Sequence, residues 1–321
     1  MRSQKLGSKG PEISVIGFGA WEAGGDMWGP NESEAEIVEA IQTGLDAGIT
    51  WIDTAEVYGD GTSEEIVARA IQGRREDIFL ATKVAPEPSG TGHRAEQVRE
   101  ACQKSLKRLS TDWIDLYQLH WPDDAGAPLD ETWEAMAGLA DEGLVRHIGM
   151  SNYGQSEIER CEAIRHVDSL QPQFSMLYLD LRDVIRWCGD NGIGVVAYGP
   201  LAFGLLTGAI DQTTRFHERD WRSGGMDMDA YDRMFAPGKI ERSLSVVDAM
   251  RPIAGRIGIS VAQLALAWVF HQPGVTSAIA GTRNPKHVRE NAEAGDVTLD
   301  RETLQELEGI LELGPDFAER E

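Results

Sequence analysis

The feature that most constrains the fold is an alternation of two kinds of segment, repeated along almost the whole chain. Short apolar runs rich in β-branched residues are each followed by a longer amphipathic stretch of helical period. This alternation is typical of parallel sheets whose strands are joined by helices. We predict eight such strands, at Val15–Phe18, Trp51–Asp53, Ile78–Lys83, Asp115–His120, Val145–Met150, Ser169–Gln171, Ile193–Tyr198 and Thr276–Ala280.

Helices are predicted between these strands, and two of them carry start signals. Ser33 is followed three residues later by Glu36, and Ser260 by Gln263, which is the spacing of a capping box. The predicted helices are Ser33–Ala47, Ser63–Ile71, Ala95–Leu109, Thr132–Glu142, Ser156–Arg165, Val184–Asn191 and Ser260–His271.

Two architectures fit this alternation, a closed barrel and an open doubly wound sheet. The open sheet predicts a GxGxxG motif after the first strand, but residues 17–22 read Gly-Phe-Gly-Ala-Trp-Glu and lack the last glycine. Eight strands is the number that closes a barrel. We therefore predict an α/β fold, a (β/α)8 TIM barrel with an N-terminal β-hairpin around Leu6–Ile13 and a long loop after the seventh strand. We expect residues 1–321 to form one barrel domain, because their number suits it.

The long loop runs from Phe203 to Lys239 and interrupts the repeat. It is polar but carries aromatic residues, among them Trp221 and Tyr231. Loops of this length inside a compact domain are usually functional. Two interpretations stay open, a lid over a bound cofactor and a solvated insertion.

The charge balance limits the partners of the chain. Asp and Glu number 53 against 30 Lys and Arg, a formal net charge of -23 that repels nucleic acid and anionic membranes. Scarce lysine fits either adaptation to high salt or a merely acidic surface. Three cysteines without CxxC spacing argue against a disulfide framework. Because we find no signal peptide or membrane span, we expect a cytoplasmic location.

Polar residues follow the predicted strands at the same end. Asp53 ends the second strand, Tyr58 lies just beyond it, Lys83 ends the third strand and His120 ends the fourth. Taken singly, each has an ordinary explanation, such as a helix cap, a rim residue or a satisfied histidine. Barrel enzymes, however, place their reactive groups at the C-terminal ends of the strands. Four such groups at one edge therefore predict a reactive site.

These four side chains suit the reduction of a carbonyl group. Hydride addition leaves negative charge on oxygen, which must receive a proton from an acid that works near neutral pH. An ammonium beside Tyr58 lowers the pKa of the phenol, and a carboxylate keeps that ammonium charged, which gives roles to Lys83 and Asp53. His120 then donates a hydrogen bond to the substrate oxygen. We predict an oxidoreductase that interconverts aldehydes or ketones and alcohols by hydride transfer, with Tyr58 as general acid and base and with no metal.

At these residues the chain resembles the aldo-keto reductase family. The family's Asp-Thr-Ala-x-x-Tyr-Gly motif is similar to residues 53–59, which read Asp-Thr-Ala-Glu-Val-Tyr-Gly. The likeness continues through residues 81–83, 105–109, 115–120 and 143–152, and it extends over nearly the whole chain. The resemblance implies a catalytic tetrad at Asp53, Tyr58, Lys83 and His120.

The resemblance also implies a nicotinamide cofactor that lies extended across the barrel mouth without a Rossmann domain. At the nicotinamide end, it implies that Ser151, Asn152 and Gln171 bond the carboxamide and that Tyr198 stacks on the ring. The other implied cofactor-binding residues are Gly19, Ala20 and Trp21 in the pocket, Gly199, Pro200, Leu201, Gly204 and Leu205 at the pyrophosphate, and Gly281, Thr282, Arg283, His287, Glu290 and Asn291 at the adenosine.

The cofactor type and the function each keep an alternative. Arg283 favours NADP(H), because a guanidinium pairs with a 2'-phosphate, and NAD(H) is the alternative because His287 stands where some members carry an arginine. A cofactor-sensing regulatory subunit of a membrane channel, with the same fold, is the alternative function, and a barrel lyase or isomerase is a third. The expected substrate is a small carbonyl or alcohol, with Trp21, Trp28 and Trp121 either lining its pocket or packing.

Overall fold

The centre of the molecule is a closed barrel of eight parallel strands. The structure is a computed structural model that describes residues 1–25, 27–29, 33–224, 234–236 and 238–314. The barrel strands are β3 (Ile16–Gly19), β4 (Trp51–Asp53), β5 (Phe79–Val84), β6 (Ile114–Leu119), β7 (Val145–Ser151), β8 (Ser169–Gln171), β9 (Gly194–Ala197) and β10 (Ser277–Gly281). Each predicted strand is confirmed to within one residue at either end.

The predicted N-terminal hairpin is also confirmed, and it closes the bottom of the barrel. Its strands, β1 (Ser3–Lys5) and β2 (Glu12–Ser14), pair antiparallel. Leu6 and Ile13 from the hairpin pack with side chains from inside the barrel, and this cluster is completed by Trp51, Ala81, Leu116, Val196 and Ile279. The interior is therefore a packed core below a polar mouth, as in other barrels of this type.

Glycine lets the largest of these side chains fit inside the barrel. A Cβ on Gly17 would lie 2.1 Å from the Trp51 ring. The indole Nε1 donates to the Ser14 carbonyl at 3.1 Å and to Ser277 Oγ at 3.0 Å, so the ring is both buried and bonded. A side chain at position 17 would displace the ring from the barrel.

Helices pack around the barrel and connect its strands. Both predicted capping boxes are confirmed, at Ser33 with Glu36 and at Ser260 with Gln263. The α-helices are α1 (Glu34–Asp46), α2 (Thr62–Ala70), α3 (Ala95–Arg108), α4 (Leu129–Asp141), α5 (Gln155–Glu162), α6 (Arg182–Asp190), α7 (Lys239–Ile257), α8 (Val261–Phe270), α9 (Pro285–Ala294) and α10 (Arg301–Ile310). The seven predicted helices are among them, and α7, α9 and α10 are additions to the prediction.

The long loop after β9 packs on the loop that follows β3, where its residues are described. It contains two short 3-10 helices, Ala202–Thr207 and Trp221–Ser223. Trp28 forms an antiparallel bridge with Asp220, and the Trp221 amide donates to the Met27 carbonyl at 3.0 Å. This part of the loop is thus attached to the barrel rim, whereas Tyr231 lies outside the described residues.

One membrane-related finding concerns the helices. In the described part of the chain no single helix is long and apolar enough to cross a membrane, and one pair, α7 with α8, has the length and composition only when both are joined across a 91° bend.

Candidate active site

The carboxyl ends of the barrel strands bring the predicted reactive residues to one edge. Asp53 is the last residue of β4, and Lys83 lies near the end of β5. Tyr58 is in the turn between β4 and α2, and His120 follows β6 directly. Parallel strands share one direction, so their ends meet at the same rim. The four residues are separated in sequence by up to 67 positions, yet they form one cluster.

Lys83 is the centre of this cluster and is fully buried. Its Nζ donates to Asp53 Oδ2 at 2.6 Å, to the Thr54 carbonyl at 2.9 Å and to the Tyr58 hydroxyl at 3.2 Å. These acceptors use all three donors of an ammonium. Burial lowers the pKa of Lys83, and the Asp53 carboxylate opposes that effect. The geometry therefore fixes one ammonium N–H toward the phenol oxygen.

His120 lies on the other side of the same phenol. Its Nε2 is 3.5 Å from the Tyr58 hydroxyl, at the limit of hydrogen bonding, and the two rings meet edge to face. Burial lowers the pKa of His120 well below its usual range, and the nearby Lys83 ammonium adds to the effect. The imidazole is therefore neutral at pH 7. A neutral ring with its proton on Nε2 can donate a hydrogen bond toward the mouth.

Two buried histidines predict how stability depends on pH. Burial is the main cause that lowers the pKa of His93 and of His120. Unfolded imidazoles take up protons near pH 6.5 whereas these folded ones do so only at lower pH, so the unfolded state binds more protons as the pH falls. We expect the free energy of unfolding to fall below about pH 6.5, by up to about 1.4 kcal/mol per pH unit for each histidine.

Urea denaturation at a series of pH values measures this slope. The control is His93→Gln, which removes one of the two titrating groups and should flatten the slope by about one histidine's share. Equal slopes for the wild type and this variant would contradict the assignment.

Asp53 is held by a second bond that the sequence did not predict. Gln171 Nε2 donates to Asp53 Oδ1 at 2.8 Å, so both carboxylate oxygens have buried donors. The Gln171 carbonyl in turn accepts from Ser151 Oγ at 2.8 Å. The resemblance implied a cofactor role for Gln171, and in the structure its amide also orients the carboxylate that binds Lys83.

A second network at the mouth joins three more of the predicted residues. Asn152 has φ +65°, a left-handed backbone that asparagine tolerates better than most residues. Its Nδ2 donates to the His120 carbonyl at 3.0 Å and to Ser151 Oγ at 3.1 Å, and its Oδ1 accepts from the Tyr198 hydroxyl at 2.8 Å. The Tyr198 ring is thereby anchored at its far end beside the cluster.

The segment that follows Tyr198 has an unusual backbone. Gly199, Ala202, Phe203 and Gly204 all have positive φ, of 65°, 46°, 55° and 104°. For alanine and phenylalanine this conformation is strained, and such strain is concentrated at ligand clamps and active sites. Pro200, Leu201 and Leu205 belong to the same turn. The strained backbone of the predicted pyrophosphate loop therefore has to be stabilised by contacts with neighbouring residues.

Arg222 supplies those contacts from the long loop. It forms an ion pair with Asp220 at 2.7 Å and donates through Nη1 to the Phe203 carbonyl at 3.1 Å. Its guanidinium also lies 5.0 Å from the Trp28 ring centre. Trp28 is buried among aromatic rings, so it packs, whereas Trp21 is partly exposed near Tyr58, with ring centres 6.2 Å apart.

The residues predicted for the adenosine end lie at β10 and α9. Gly281 ends β10 directly opposite Gly19, and a Cβ on Gly281 would lie 2.7 Å from the Gly19 carbonyl oxygen. Arg283 donates to the Trp28 carbonyl at 2.9 Å and lies 4.0 Å from Glu22. The other predicted residues differ in exposure: His287 is exposed, Glu290 and Thr282 are half-buried, and Asn291 is buried.

Two features of the candidate site were missed from the sequence. One is the Thr54 carbonyl, which no side-chain pattern reveals. The other is Gln118, which is buried in β6 and shares a strand face with His120. A polar residue two positions before His120 in a predicted barrel strand was the available signal, because alternate residues face the interior.

Comparisons with known proteins show which family the chain is similar to. The model of the aldo/keto reductase family matches residues 15–312. The chain is 37% identical to the aldo-keto reductase YhdN of Bacillus subtilis over 99% of this chain and 97% of that protein. It is 31% identical to a protein of Arabidopsis thaliana named "Probable voltage-gated potassium channel subunit beta", over 98% of each. It also resembles the crystal structure of an aldo-keto reductase from Klebsiella pneumoniae in complex with NADPH, with 31% identity, a TM-score of 0.75, and 98% of this chain and 97% of that one covered.

Proposed function

The chain belongs to the aldo/keto reductase family, and on that basis we propose that it interconverts aldehydes or ketones and alcohols, with Tyr58 as the proton-transferring residue. The observation that carries this proposal is the position of the phenol. Its oxygen lies between the Lys83 ammonium at 3.2 Å and His120 Nε2 at 3.5 Å. A carbonyl oxygen placed beside the phenol is then within reach of both a proton donor and a neutral imidazole.

Each member of the cluster has a separate task in this reaction. In the reductive direction Tyr58 gives its proton to the carbonyl oxygen, and the Lys83 ammonium stabilises the phenolate that remains. His120 donates a hydrogen bond that orients the carbonyl and stabilises its developing charge. Asp53 does not take part in the proton transfer to the substrate. It acts as a positioning residue, because it holds Lys83 with a hydrogen bond of 2.6 Å.

The residues at the mouth fit a nicotinamide cofactor. Such a cofactor supplies the hydride, and its carboxamide needs neutral donors and acceptors beside a flat aromatic surface. Ser151, Asn152 and Gln171 provide the polar groups, and Tyr198 provides the ring. Gly19 and Gly281 approach each other closely at the rim between β3 and β10, because a Cβ on Gly281 would lie 2.7 Å from the Gly19 carbonyl oxygen and one on Gly19 would lie 2.8 Å from Ile279 Cγ2. These residues would hold the cofactor across the mouth.

The test is turnover by the purified protein. With NADPH and a panel of aliphatic and aromatic aldehydes and ketones, we expect absorbance of the reduced nicotinamide to fall only when a carbonyl substrate is present. No turnover of any carbonyl, and none of any alcohol with NADP, would contradict the proposal.

We propose NADP(H) as the preferred cofactor, with Arg283 as the residue that distinguishes it. A guanidinium forms strong paired bonds with a phosphate, and Arg283 reaches such a group by exchanging its bond with the Trp28 carbonyl. We expect Arg283→Met to weaken NADPH binding roughly tenfold and to leave NADH binding nearly unchanged. Fluorescence titration with both cofactors measures this, and Arg301→Met, which removes the same charge from an exposed position on α10, is the matched control. Equal losses for both cofactors in Arg283→Met would contradict the assignment and leave NAD(H) open.

One relative suggests a second candidate, a cofactor-sensing subunit of a membrane channel. It rests on the sequence similarity to the Arabidopsis protein, whose name alone mentions a channel. Co-purification of a membrane protein in stoichiometric amount from cells that express the chain would support it. Recovery of the chain alone, with turnover intact, would favour the enzyme.

A further inference from the structure

Several polar groups inside the barrel, just below the mouth, have no hydrogen-bond partner among the described residues. They are both polar atoms of the Gln118 carboxamide, the Ser169 hydroxyl and Nδ1 of His120. Gln118 and Ser169 are fully buried, and His120 nearly so. Buried polar groups in native proteins are almost always bonded, to protein or to ordered water. These groups therefore mark a polar site inside an otherwise apolar interior.

The strand register places the side chains of Gln118 and Ser169 in one row around the barrel. Gln118 is paired with Lys83 on one side and with Gly149 on the other, and Gly149 is paired with Ser169. Paired residues of parallel strands face the same side, and Lys83 faces the interior. A Cβ on Gly149 would lie 2.6 Å from the Ser169 carbonyl oxygen and 3.2 Å from Ser169 Cβ, so this position holds no side chain. No side chain of residue 149 therefore stands between the carboxamide and the hydroxyl in this row.

His120 lies one step above this row. It is two residues beyond Gln118 on the same strand face, so the two Cα atoms are about 6.6 Å apart along the strand. The imidazole directs Nε2 toward the Tyr58 hydroxyl. Its Nδ1 is buried and has no hydrogen-bond partner among the described residues. A carboxamide that extends up the strand comes within reach of Nδ1 directly or through one water molecule.

The role of His120 sets a requirement on Nδ1. A neutral imidazole that donates from Nε2 must carry its single proton there, so Nδ1 has to accept a hydrogen bond. The Lys83 ammonium has no donor left for it, because its three N–H groups bind Asp53, Thr54 and Tyr58. Gln118 has two amide donors that are not bonded to any described residue.

We propose that Gln118, together with Ser169, binds ordered water below the active site and that this amide, directly or through that water, donates to Nδ1 of His120. Gln118 is then a positioning residue that holds the neutral imidazole with its proton on Nε2, facing the substrate. The consequence for turnover rests on the proposed reductase function, whereas the consequence for the tautomer does not.

The experiment reads the tautomer and the rate separately. Long-range proton–nitrogen correlation spectra of protein labelled with nitrogen-15 in histidine report which ring nitrogen carries the proton. We expect the proton on Nε2 in the wild type, and a substantial Nδ1-protonated population in Gln118→Met, which keeps the volume and removes the donors. In the carbonyl assay this variant should lose roughly tenfold in kcat with KM little changed. Gln118→Glu should move the proton to Nδ1, because a carboxylate accepts from it.

Matched variants separate this effect from repacking. Leu116→Met changes the same strand face one step lower and should leave the His120 spectrum unchanged. Ser169→Ala should shift the His120 tautomer in the same direction as Gln118→Met. If Gln118→Met does not fold, Ser169→Ala is the variant that tests the proposal. Protonation of Nδ1 in the wild type, or a wild-type spectrum in the folded variants, would overturn the proposal. Absence of turnover with the expected spectra would contradict only the reductase function.

Discussion

Tyr58→Phe is expected to lose about a thousandfold in kcat for carbonyl reduction while it still binds NADPH. Removal of a positioned general acid typically costs between about 10² and 10⁴ in rate. The phenyl ring keeps the volume of the side chain, and Lys83 keeps its bonds to Asp53 and Thr54. Stopped-flow measurement of NADPH oxidation gives the rate, and cofactor fluorescence gives the binding.

The matched control is Tyr153→Phe. That hydroxyl is bonded only to the Trp121 carbonyl at 3.3 Å among the contacts described, and it lies one strand away from the cluster. Its removal should leave kcat within about twofold. Equal rates for Tyr58→Phe and the wild type would show that another group transfers the proton.

Lys83→Met is expected to cost about 3–5 kcal/mol in the free energy of unfolding, as well as nearly all turnover. Removal of one partner from a buried ion pair leaves the other charge uncompensated. Asp53 would keep the Gln171 amide as a donor and would lose its 2.6 Å bond to the ammonium. Methionine fills the volume, so the change in stability reports the charge. Urea denaturation at pH 7 measures it.

A double variant distinguishes the stranded charge from lost packing. Asp53→Asn combined with Lys83→Met removes both charges, and it should recover most of the stability that Lys83→Met alone loses. It should remain inactive, because the ammonium is still missing. A single variant within about 1 kcal/mol of the wild type, or a double variant no more stable than the single, would contradict the described role of the pair.

The barrel was predictable because most of its strands have a local signature. Trp51–Asp53 is a short β-branched and aromatic run before a polar turn, and similar apolar runs recur at most of the other strands, although Ser169–Gln171 has no β-branched or aromatic residue. The convergence of Asp53, Lys83 and His120 followed from strand order alone, since parallel strands end at one rim. These predictions depended on periodicity and direction, which the sequence contains.

Features that depend on tertiary contacts were not predictable. The bond from Gln171 to Asp53 joins residues 118 positions apart, and nothing local distinguishes it from a bond to a ligand. Helix α7 begins after Gly238 and contains Pro252, a residue that argues against a helix interior. Trp28 looked equally suited to a substrate pocket and to packing, and the contacts of Arg222 decide for packing. The burial of a side chain and its contact partners decide its role, and a single sequence shows neither of them.

We propose that this cluster supports direct hydride transfer from a nicotinamide to a carbonyl carbon. The most direct measurement uses NADPH that carries deuterium at both positions of the hydride-donating carbon, with mass spectrometry of the alcohol product. We predict one deuterium on the carbinol carbon of every product molecule formed by the wild type, and product too scarce to quantify over the same time with Tyr58→Phe. Alcohol formed without deuterium on that carbon would contradict the account.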